Sequence, residues 1–565
     1  MTYTPPVAEQ LFVLKHIVGI GALAGHDAFA EATPDTVEAI VEGAGAFAAG
    51  EFAPLNRIGD EEGAKWSPDG VTMPEGFKAA YRAYVEGGWG TLSGPVEFGG
   101  QGLPLSLASV VMEDLGSANM GFSLVMMLTP AAVEALRHHG TPEQQDFYLP
   151  KLITGAWSGT MNLTEPQAGS DVGALKTRAE PAGDGSWRIK GQKIFITFGE
   201  HDLANNIVHL VLARTSDAPP GTKGISLFIV PKILPDGRRN DLRCVSIEHK
   251  MGIHASPTCV MAYGDEGECT GWLIGEEQAG MRAMFTMMNN ARLNVGLQGV
   301  SIAERAMQAA VDYALQRIQG VRGGRPVAIV EHPDVRRMLL RMKSLTQAAR
   351  ALAYYTAGQT DRASLGEAAA RARADLLTPL TKAYGTDVGV EVTSLGIQVH
   401  GGMGFVEETG AAQHYRDARI SPIYEGTNGI QAADLVGRKL GLSGGAVTAD
   451  LLAEIRDDAA GEIGLLKLVD RIEAVIASLA GAEPDDRLAG AYPLLTMMSV
   501  AVCAWLMKRQ LAALDDAGDG DWAAMKRAAV RYYLDQAVPE ALGLEAQALA
   551  GAELLYSVSA EAFAA

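Results

Sequence analysis

The spacing of apolar residues changes twice along this chain, and the change limits the folds that it can adopt. From residue 36 to 158 apolar residues recur at helical spacing, as in "PDTVEAIVEGAGAFAAG". From about 159 to 275 β-branched and aromatic residues form alternating runs such as "GISLFIVPK", and after Gly280 the helical spacing returns in long segments. A period near 3.6 residues indicates helices, whereas a period of two indicates strands. The sequence therefore predicts an α+β protein, mainly α, with a compact antiparallel β domain in its middle.

Gly- and Pro-rich stretches between these regions predict five segments. They are an N-terminal arm (1–35), an N-terminal helical domain (36–158), a central antiparallel β domain (159–280), a C-terminal four-helix bundle (281–445) and an extra C-terminal helical domain (446–565). The stretch "GLSGGAVTAD", residues 441–450, is the predicted linker before the last domain. The lengths of the helical segments after Gly280 suit an up-and-down bundle.

Two ligand classes are disfavoured by charge and spacing. The chain has 47 Lys and Arg residues against 67 Asp and Glu residues, which gives a formal net charge of −20. Because phosphate neutralisation needs a basic surface, this balance argues against nucleic acid as a partner. The His138–His139 pair lies on a helical segment without a carboxylate arrangement suited to a metal, so no metal site is predicted.

Cysteine usage and hydropathy predict a cytoplasmic protein that does not insert into a membrane. The four cysteines show no C-x-x-C pair and no paired spacing, as is typical of reduced thiols in the cytosol. The N-terminus has no basic segment before its apolar run, which argues against a signal peptide. The longest apolar stretch, residues 494–507, is too short to span a bilayer and suits a buried helix.

The segment "MNLTEPQAGSDVGALKTRA", residues 161–179, is the strongest local signal for a binding site. It concentrates hydroxyl groups, an acid, a proline and small residues where the helical region gives way to the strands. Such a loop frees backbone N–H groups for an anionic or polar planar ligand. An ordinary Gly/Pro loop is the alternative.

A second candidate is "QVHGGMGF", residues 398–405, in which glycines permit close backbone approach and Gln398 offers a donor and an acceptor. As a dinucleotide fingerprint it fails, because no βαβ unit surrounds it. On spacing alone, a hinge between helices is as good an interpretation.

The third candidate is "SPIYEGTNGIQ", residues 421–431, where Glu425 stands between an aromatic residue and a glycine with little other charge nearby. The stretch leads into a predicted helix. A surface carboxylate near a helix N-terminus, favoured by the helix dipole, is the alternative interpretation.

These three motifs, in the order helical domain, sheet domain and bundle, resemble the acyl-CoA dehydrogenase family over roughly residues 40–440. The family binds FAD between its sheet domain and its bundle and oxidises acyl-CoA thioesters to 2-enoyl-CoA. The resemblance implies that Thr164 and Ser170 touch flavin and ligand, Ser170 also binding substrate. It implies that Phe195 and Thr197 flank the isoalloxazine, with Phe195 standing where many members carry Trp.

In the bundle, the resemblance implies that Arg317 reaches the FAD pyrophosphate of a neighbouring subunit and that Gln398 and Gly402 form the loop that receives it in return. Arg292 is expected at the acyl-CoA end. The motif around Glu425 implies further roles: Glu425 is the catalytic base, Gly426 lets the backbone approach the substrate, and Thr427 and Asn428 are flavin contacts. Gly429 departs from a glutamine that is common near this point in the family.

The N-terminal arm and the extra C-terminal domain resemble a long bacterial subgroup of the same family. That resemblance implies a short-chain acyl-CoA substrate, foremost 3-methylthiopropanoyl-CoA, which would become 3-methylthioacryloyl-CoA in dimethylsulfoniopropionate breakdown. It also implies an electron acceptor such as electron-transfer flavoprotein, and a homodimer. A general short- or medium-chain dehydrogenase of β-oxidation, an acyl-CoA oxidase and a flavin-containing binding protein of the same fold remain as alternatives.

Overall fold

The computed structural model describes residues 3–514 and 520–565, which form two compact units. The first, here the β unit, holds residues 3–5 and 39–294. The second, here the bundle unit, holds residues 6–38 and 295–565. Helices dominate both units and strands concentrate in the first, so the predicted class, α+β and mainly α, is confirmed.

The elements follow each other in the order that the apolar spacing predicts. In chain order the α-helices are α1 (Val7–Val13), α2 (Ile20–Leu23), α3 (Pro34–Phe47), α4 (Leu55–Glu62), α5 (Phe77–Glu86), α6 (Leu105–Ala118), α7 (Met120–His139), α8 (Pro142–Ile153), α9 (Gly280–Gln316), α10 (Pro333–Ser364), α11 (Ala368–His400), α12 (Gly402–Phe405), α13 (Ala411–Ala418), α14 (Asn428–Asp434), α15 (Ala446–Asp458), α16 (Ile463–Ala480), α17 (Pro484–Ala489), α18 (Ala491–Ala513), α19 (Asp521–Tyr532), α20 (Val538–Leu542) and α21 (Glu545–Ala548). The strands are β1 (Lys65–Ser67), β2 (Gly70–Thr72), β3 (Trp157–Asn162), β4 (Arg178–Pro181), β5 (Trp187–Thr197), β6 (Asn206–Arg214), β7 (Ile225–Pro231), β8 (Leu242–Ile247), β9 (Thr258–Tyr263), β10 (Cys269–Ile274), β11 (Ile318–Arg322) and β12 (Arg325–Ala328).

The large sheet of the β unit runs in the order β10–β7–β6–β4–β5–β9–β8, with β3 beside β6. Because β10 also pairs with β5, the strands between them close into a ring. Most neighbours are antiparallel, as predicted, but β6 pairs in parallel with two strands. It pairs with β3 from Trp157 opposite Asn206 to Asn162 opposite Val211, and with β4 at Arg178 opposite Arg214. Strand β6 is buried along almost its whole length, which suits a strand covered on both faces.

The helical part of the β unit contains one short hairpin that the sequence analysis did not predict. Strands β1 and β2 pair in it across Pro68 and Asp69, which are typical turn residues. The Ser67 hydroxyl accepts a hydrogen bond from the Asp69 N–H at 3.3 Å. Each of these strands has only three residues, which is too few for an alternating pattern to be recognised in the sequence.

The long helical segments expected after Gly280 are confirmed as α9, α10 and α11. Two glycines let α9 and α11 approach closely, because a Cβ on Gly299 would lie 1.9 Å from the Gly385 carbonyl oxygen. The shorter helices α13 and α14 pack on α11 and complete the bundle. The expected linker at 441–450 is shorter than predicted, since α15 already begins at Ala446.

The N-terminal arm packs with the extra C-terminal domain inside the bundle unit. The rings of Phe12 and Trp522 lie 5.1 Å apart, centroid to centroid. Glu9 is buried and accepts hydrogen bonds from the Lys526 ammonium and from the Gln347 amide. A buried ion pair thus joins the arm to α19, and a hydrogen bond from an amide joins it to α10.

Within the described residues, α7 and α18 are long and apolar enough by composition to cross a membrane. Protein covers 83 % of the apolar window of α7 and 78 % of that of α18. Both therefore serve as core helices, and the prediction of a buried helix at 494–507 is confirmed.

Candidate active site

The turn that carries Glu425 has an unusual backbone. It connects α13 to α14, and both Glu425 (φ 55°) and Gly426 (φ 83°) adopt the left-handed conformation. Glycine adopts that conformation freely, whereas a residue with a side chain does so at a cost and most often at functional sites. The Thr427 hydroxyl ends the turn by accepting a hydrogen bond from the Ile430 N–H at 3.2 Å, as the N-cap of α14.

Gln431 holds this turn from the first helical turn that follows it. Its Nε2 donates to the carbonyl oxygens of Glu425 at 3.4 Å and of Gly426 at 3.2 Å. The Gln431 side chain is fully buried, and its Oε1 has no hydrogen-bond partner in the described chain. Gln431 thereby fixes the backbone of the two left-handed residues to helix α14. The Glu425 side chain is half-buried.

A tyrosine and a glutamine lie beside the turn. The Tyr424 hydroxyl donates to Oε1 of Gln298 on α9. Burial, together with the neighbouring Glu425 charge, raises the pKa of Tyr424 above its usual range, so the phenol stays protonated. Nε2 of Gln298 is buried and finds no partner among the residues that the structure describes. Its N–H groups are therefore available to a polar atom of a bound ligand.

The structure does not support Asn428 as a flavin contact. The Asn428 amide nitrogen donates to Asp387 Oδ1 at 2.8 Å and to Thr386 Oγ1 at 3.0 Å, and its oxygen accepts from the Lys382 ammonium at 2.8 Å. The side chain is buried and its hydrogen-bonding groups are fully used within α11 and α14. We therefore assign Asn428 a structural role.

In the β unit, the loop after β3 is built around a buried ion pair. Lys193 of β5 donates from Nζ to Glu165 Oε1 and to the Leu163 carbonyl oxygen, each at 2.9 Å. Glu165 also accepts from the backbone N–H of Lys176 and of Thr177. Burial alone would raise the pKa of Glu165, but the Lys193 charge and these hydrogen bonds outweigh it and lower the pKa to about 2.

The predicted flavin-flanking residues lie next to this loop. Phe195 sits at a β-bulge in β5 with φ 59°, and its ring is 58 % exposed. The Thr164 carbonyl oxygen accepts from the Ile194 N–H at 2.9 Å, and the Thr197 carbonyl oxygen accepts from the Thr160 hydroxyl at 2.7 Å. The structure thus brings Thr164, Phe195 and Thr197 together, with an aromatic face turned outward by the bulge.

The remaining β-unit predictions fall at two separate places. Ser170 is exposed at the end of the 164–170 loop. Arg292 is buried on α9, in the stretch 291–307 where every residue is buried. No described contact joins the two side chains.

Arg317, Gln398 and Gly402 lie at one end of the bundle. Arg317 follows the last residue of α9, and the Tyr313 ring, one turn earlier, stacks on His400 at the end of α11 with centroids 4.5 Å apart. All three predicted residues are exposed, and a Cβ added at Gly402 would meet no atom within 4 Å. The backbone at this end of the bundle is therefore open to a ligand.

In each unit, taken by itself, these features fit a part of an extended dinucleotide such as FAD. The β unit offers an exposed aromatic ring beside hydroxyl-bearing residues, and the bundle unit offers the unpaired amide N–H of Gln298 and an open glycine loop beside an arginine. Among the described residues no group of three His, Cys, Asp or Glu side chains could hold a metal ion.

Sequence reasoning missed three residues that support the candidate site residues, namely Lys193 in the β unit and Gln298 and Gln431 in the bundle unit, and it missed the structural role of Glu165. The acid of the first motif was noticed without its partner, because Lys193 lies 28 positions away on another strand. The two glutamines carry no motif of their own. Only spatial proximity reveals them.

Family models match the chain in order along most of its length. They describe the acyl-CoA dehydrogenase N-terminal domain at residues 34–156, its middle domain at 160–265, its C-terminal domain at 278–440, and an acetyl-CoA dehydrogenase C-terminal-like domain at 450–559.

Known proteins of similar length match as well. The chain is 47 % identical to a 3-methylmercaptopropionyl-CoA dehydrogenase of Ruegeria pomeroyi, over 96 % of this chain and 97 % of that protein. It is 38 % identical to a butyryl-CoA dehydrogenase of Syntrophomonas wolfei, over 87 % and 88 %. Its fold matches an acyl-CoA dehydrogenase complexed with FAD from Bacillus anthracis with a TM-score of 0.76 at 23 % identity, covering 92 % of this chain and 89 % of that one. The chain therefore belongs to the acyl-CoA dehydrogenase family and is an FAD-dependent oxidoreductase.

Proposed function

We propose that this dehydrogenase acts on a short acyl-CoA, foremost 3-methylthiopropanoyl-CoA, and that Glu425 is its catalytic base. The observation that carries the proposal is the left-handed Glu425–Gly426 turn, clamped by Gln431 and followed at once by a capped helix. A non-glycine residue in the left-handed conformation is strained and persists only where the surrounding structure holds it. Such residues cluster at functional sites.

The reaction removes a proton from the α-carbon of the thioester and a hydride from its β-carbon. Glu425 takes the α-proton, which requires a base held within hydrogen-bond reach of that carbon. Gly426 has no side chain, so the thioester can approach the backbone, and the Glu425 N–H can donate to its oxygen as negative charge develops. Bound FAD supplies the acceptor for the hydride, and a double bond forms between the two carbons.

The residues proposed to hold FAD come from both halves of the fold. Thr164, Ser170, Phe195, Thr197 and Thr427 would belong to one subunit, and Arg317, Gln398 and Gly402 to a second subunit. The substrate is proposed to contact Ser170, Arg292 and Gly426. The hydroxyls and the aromatic ring suit the isoalloxazine, and the guanidinium suits a pyrophosphate.

Substrate choice is supported by the relatives of this chain. The 47 % identical protein is named for 3-methylmercaptopropionyl-CoA, another name for 3-methylthiopropanoyl-CoA, and the 38 % identical protein for butyryl-CoA. A thioether sulfur is nearly isosteric with a methylene group. One short apolar pocket would therefore accept both, with 3-methylthioacryloyl-CoA as the product in dimethylsulfoniopropionate breakdown.

We propose that the chain forms a homodimer through the exposed end of the bundle. Apolar side chains are exposed there around Arg317 and Gly402, foremost Phe405 at 87 %, together with Leu315, Ile318, Val321 and Met403. Monomeric surfaces rarely gather so many apolar groups unless a partner covers them.

We also propose a cytoplasmic location, which the four buried free thiols suit. We propose electron-transfer flavoprotein as the electron acceptor.

Anaerobic mixing with 3-methylthiopropanoyl-CoA tests the proposal, with flavin absorbance as the readout. Glu425→Gln keeps the shape of the side chain but cannot accept the proton, so reduction should slow by at least roughly 10²-fold while FAD stays bound. Glu42→Gln, at an exposed carboxylate on α3, is the control and should match the wild type. Reduction of Glu425→Gln at near wild-type rate would remove Glu425 from the reaction. Oxygen uptake during turnover would place the protein among the acyl-CoA oxidases instead.

A further inference from the structure

A chain of hydrogen bonds runs from the extra C-terminal domain to the helix that holds the Glu425 turn. Tyr492, the second residue of α18, donates from its hydroxyl to Asp387 Oδ2 at 2.6 Å. Asp387 lies on α11, and its other oxygen, Oδ1, accepts from the Asn428 amide at 2.8 Å. Asn428 is the first residue of α14. Three side chains therefore connect three helices in one line.

From Asn428 the connection reaches the turn along two short paths. The Asn428 N–H donates to the Pro422 carbonyl oxygen at 3.0 Å, which ties the start of α14 to the residues before Glu425. One helical turn later, Gln431 donates to the carbonyl oxygens of Glu425 and Gly426. The placement of α14 against α11 thus sets the placement of the catalytic carboxylate.

At Tyr492 itself, the link to α11 is the hydrogen bond that its hydroxyl donates to Asp387. A cavity of about 510 Å³ lies beside it, lined by Asp387, Glu391, Tyr415, Arg419, Pro422 and Tyr492 among others. Elsewhere along its length, α18 packs against both α14 and α11. Hydrogen bonds to a carboxylate are the strong ones, since the acceptor carries charge. Burial raises the pKa of Asp387, and the hydrogen bonds from Tyr492 and Asn428 act against that rise.

We propose that the extra C-terminal domain takes part in catalysis, with Tyr492 as a positioning residue that acts through Asp387 and Asn428 to hold the turn of Glu425. The inference rests on the proposed function, because it takes Glu425 as the base. Proton abstraction is sensitive to placement, and a displacement of about 1 Å can cost on the order of 10²-fold in rate. The extra C-terminal domain, which contains none of the proposed substrate contacts, would therefore affect the rate of proton abstraction.

Tyr492→Phe removes only the hydroxyl and tests the proposal. The cavity lets water reach Asp387 in the variant, so the fold should persist. Tyr533→Phe is the matched control, because Tyr533 of the same domain shares a buried hydrogen bond of 2.6 Å with Tyr384 of the same helix α11, and this bond does not lead to the turn. Both variants lose one hydroxyl between the same domain and the same helix.

Two measurements separate positioning from general stability. The rate of flavin reduction at saturating 3-methylthiopropanoyl-CoA should fall roughly tenfold in Tyr492→Phe, with KM and FAD content nearly unchanged. Amide hydrogen exchange of residues 421–431, in protein with and without substrate, should become faster in Tyr492→Phe and stay as in the wild type in Tyr533→Phe. Asp387→Asn weakens the middle of the same chain of hydrogen bonds. As in Tyr492→Phe, flavin reduction should become slower and amide exchange of residues 421–431 faster.

Equal rates of reduction and exchange in Tyr492→Phe and the wild type would overturn the proposal. Equal losses in Tyr492→Phe and Tyr533→Phe would overturn it too, because both would then report stability alone. The proposed function fails by a different result, namely unchanged reduction in Glu425→Gln. The two failures are therefore distinguishable in one set of variants.

Discussion

The ammonium of Lys193 lies 2.9 Å from Oε1 of Glu165, and both side chains are buried, with 0 % and 3 % of their surface exposed. The pair joins strand β5 to the loop that carries Thr164 and Ser170. Lys193 is two residues from Phe195, so one interaction orders both predicted flavin-contacting segments of the β unit.

Lys193→Met should destabilise the protein strongly. The substitution keeps an apolar stem but leaves the Glu165 charge buried without its cation, which typically costs about 3–5 kcal/mol. Chemical denaturation of the FAD-free protein measures the free energy of unfolding. Arg188→Met is the control on the same strand, since it breaks the exposed Arg188–Glu268 pair and should cost no more than about 1 kcal/mol. Equal effects of the two substitutions would contradict the expectation.

The stability that Glu165 contributes should depend on pH in a defined window. Its pKa is about 2 in the folded protein against 4.5 for an ordinary glutamate, so the unfolded state binds the proton first as the pH falls. The contribution is complete above pH 4.5 and is lost as the pH falls toward 2. The difference in unfolding free energy between wild type and Glu165→Gln should therefore shrink across that window. A difference in unfolding free energy that stays constant as the pH falls toward 2 would contradict this expectation.

Gly426→Ala should lower activity more than stability. A Cβ at φ 83° costs about 1–2 kcal/mol. In the proposed mechanism it would also occupy the space where the thioester approaches the backbone. We expect kcat/KM to fall at least about tenfold, with a modest decrease in Tm. Gly429→Ala is the control three residues away: its φ is not positive, and its Cβ would meet only the Thr427 hydroxyl at 3.7 Å. A loss of activity in the control would show that the whole turn is sensitive to added bulk.

Arg317→Ala should release FAD before it unfolds the protein. Hydrogen bonds from a cation to a charged group contribute about 1.5–3 kcal/mol, so affinity for FAD should fall roughly 10- to 100-fold. Flavin retained after gel filtration measures the loss, and dilution of the wild type to monomers should release flavin if the arginine acts across subunits. Arg325→Ala removes a nearby exposed arginine that pairs with Glu331 and should retain its flavin.

The length of the acyl chain should limit activity. An apolar pocket discriminates by only ~1–3 kcal/mol per methylene group, so kcat/KM should peak at about four to six chain atoms and decline past about eight carbons. A series from propanoyl-CoA to palmitoyl-CoA, with the methylthio compound included, measures it. An optimum at about twelve carbons or more would reject the short-chain proposal and leave the family activity intact.

Local patterns in the sequence were enough to find the long helices, because their apolar period leaves a signal within a few residues. They marked Glu425 only as a candidate; its role as base was implied by the family resemblance and stays a prediction. The helical period of α9 to α11 is continuous, and the turn around Glu425 combines an isolated charge with a glycine. Interactions between distant residues left no such signal. Tyr492 and Asp387 are 105 positions apart, and Asn428 lies 41 positions from Asp387, so its buried role could not be read beside its motif. Pairing direction was also hidden, since β3 and β6 are buried along almost their whole length and such runs do not distinguish parallel from antiparallel pairing.

The buried contact between Glu9 and Lys526 has a consequence for biosynthesis, because 517 positions separate the two residues. At about 5–20 residues per second, a ribosome needs roughly 25–100 s to add the chain between them. Throughout that time the amphipathic arm has left the exit tunnel without the helix that will cover it. A nascent chain of this length therefore exposes Phe12 and its apolar neighbours to chaperones and to other nascent chains until translation is nearly complete.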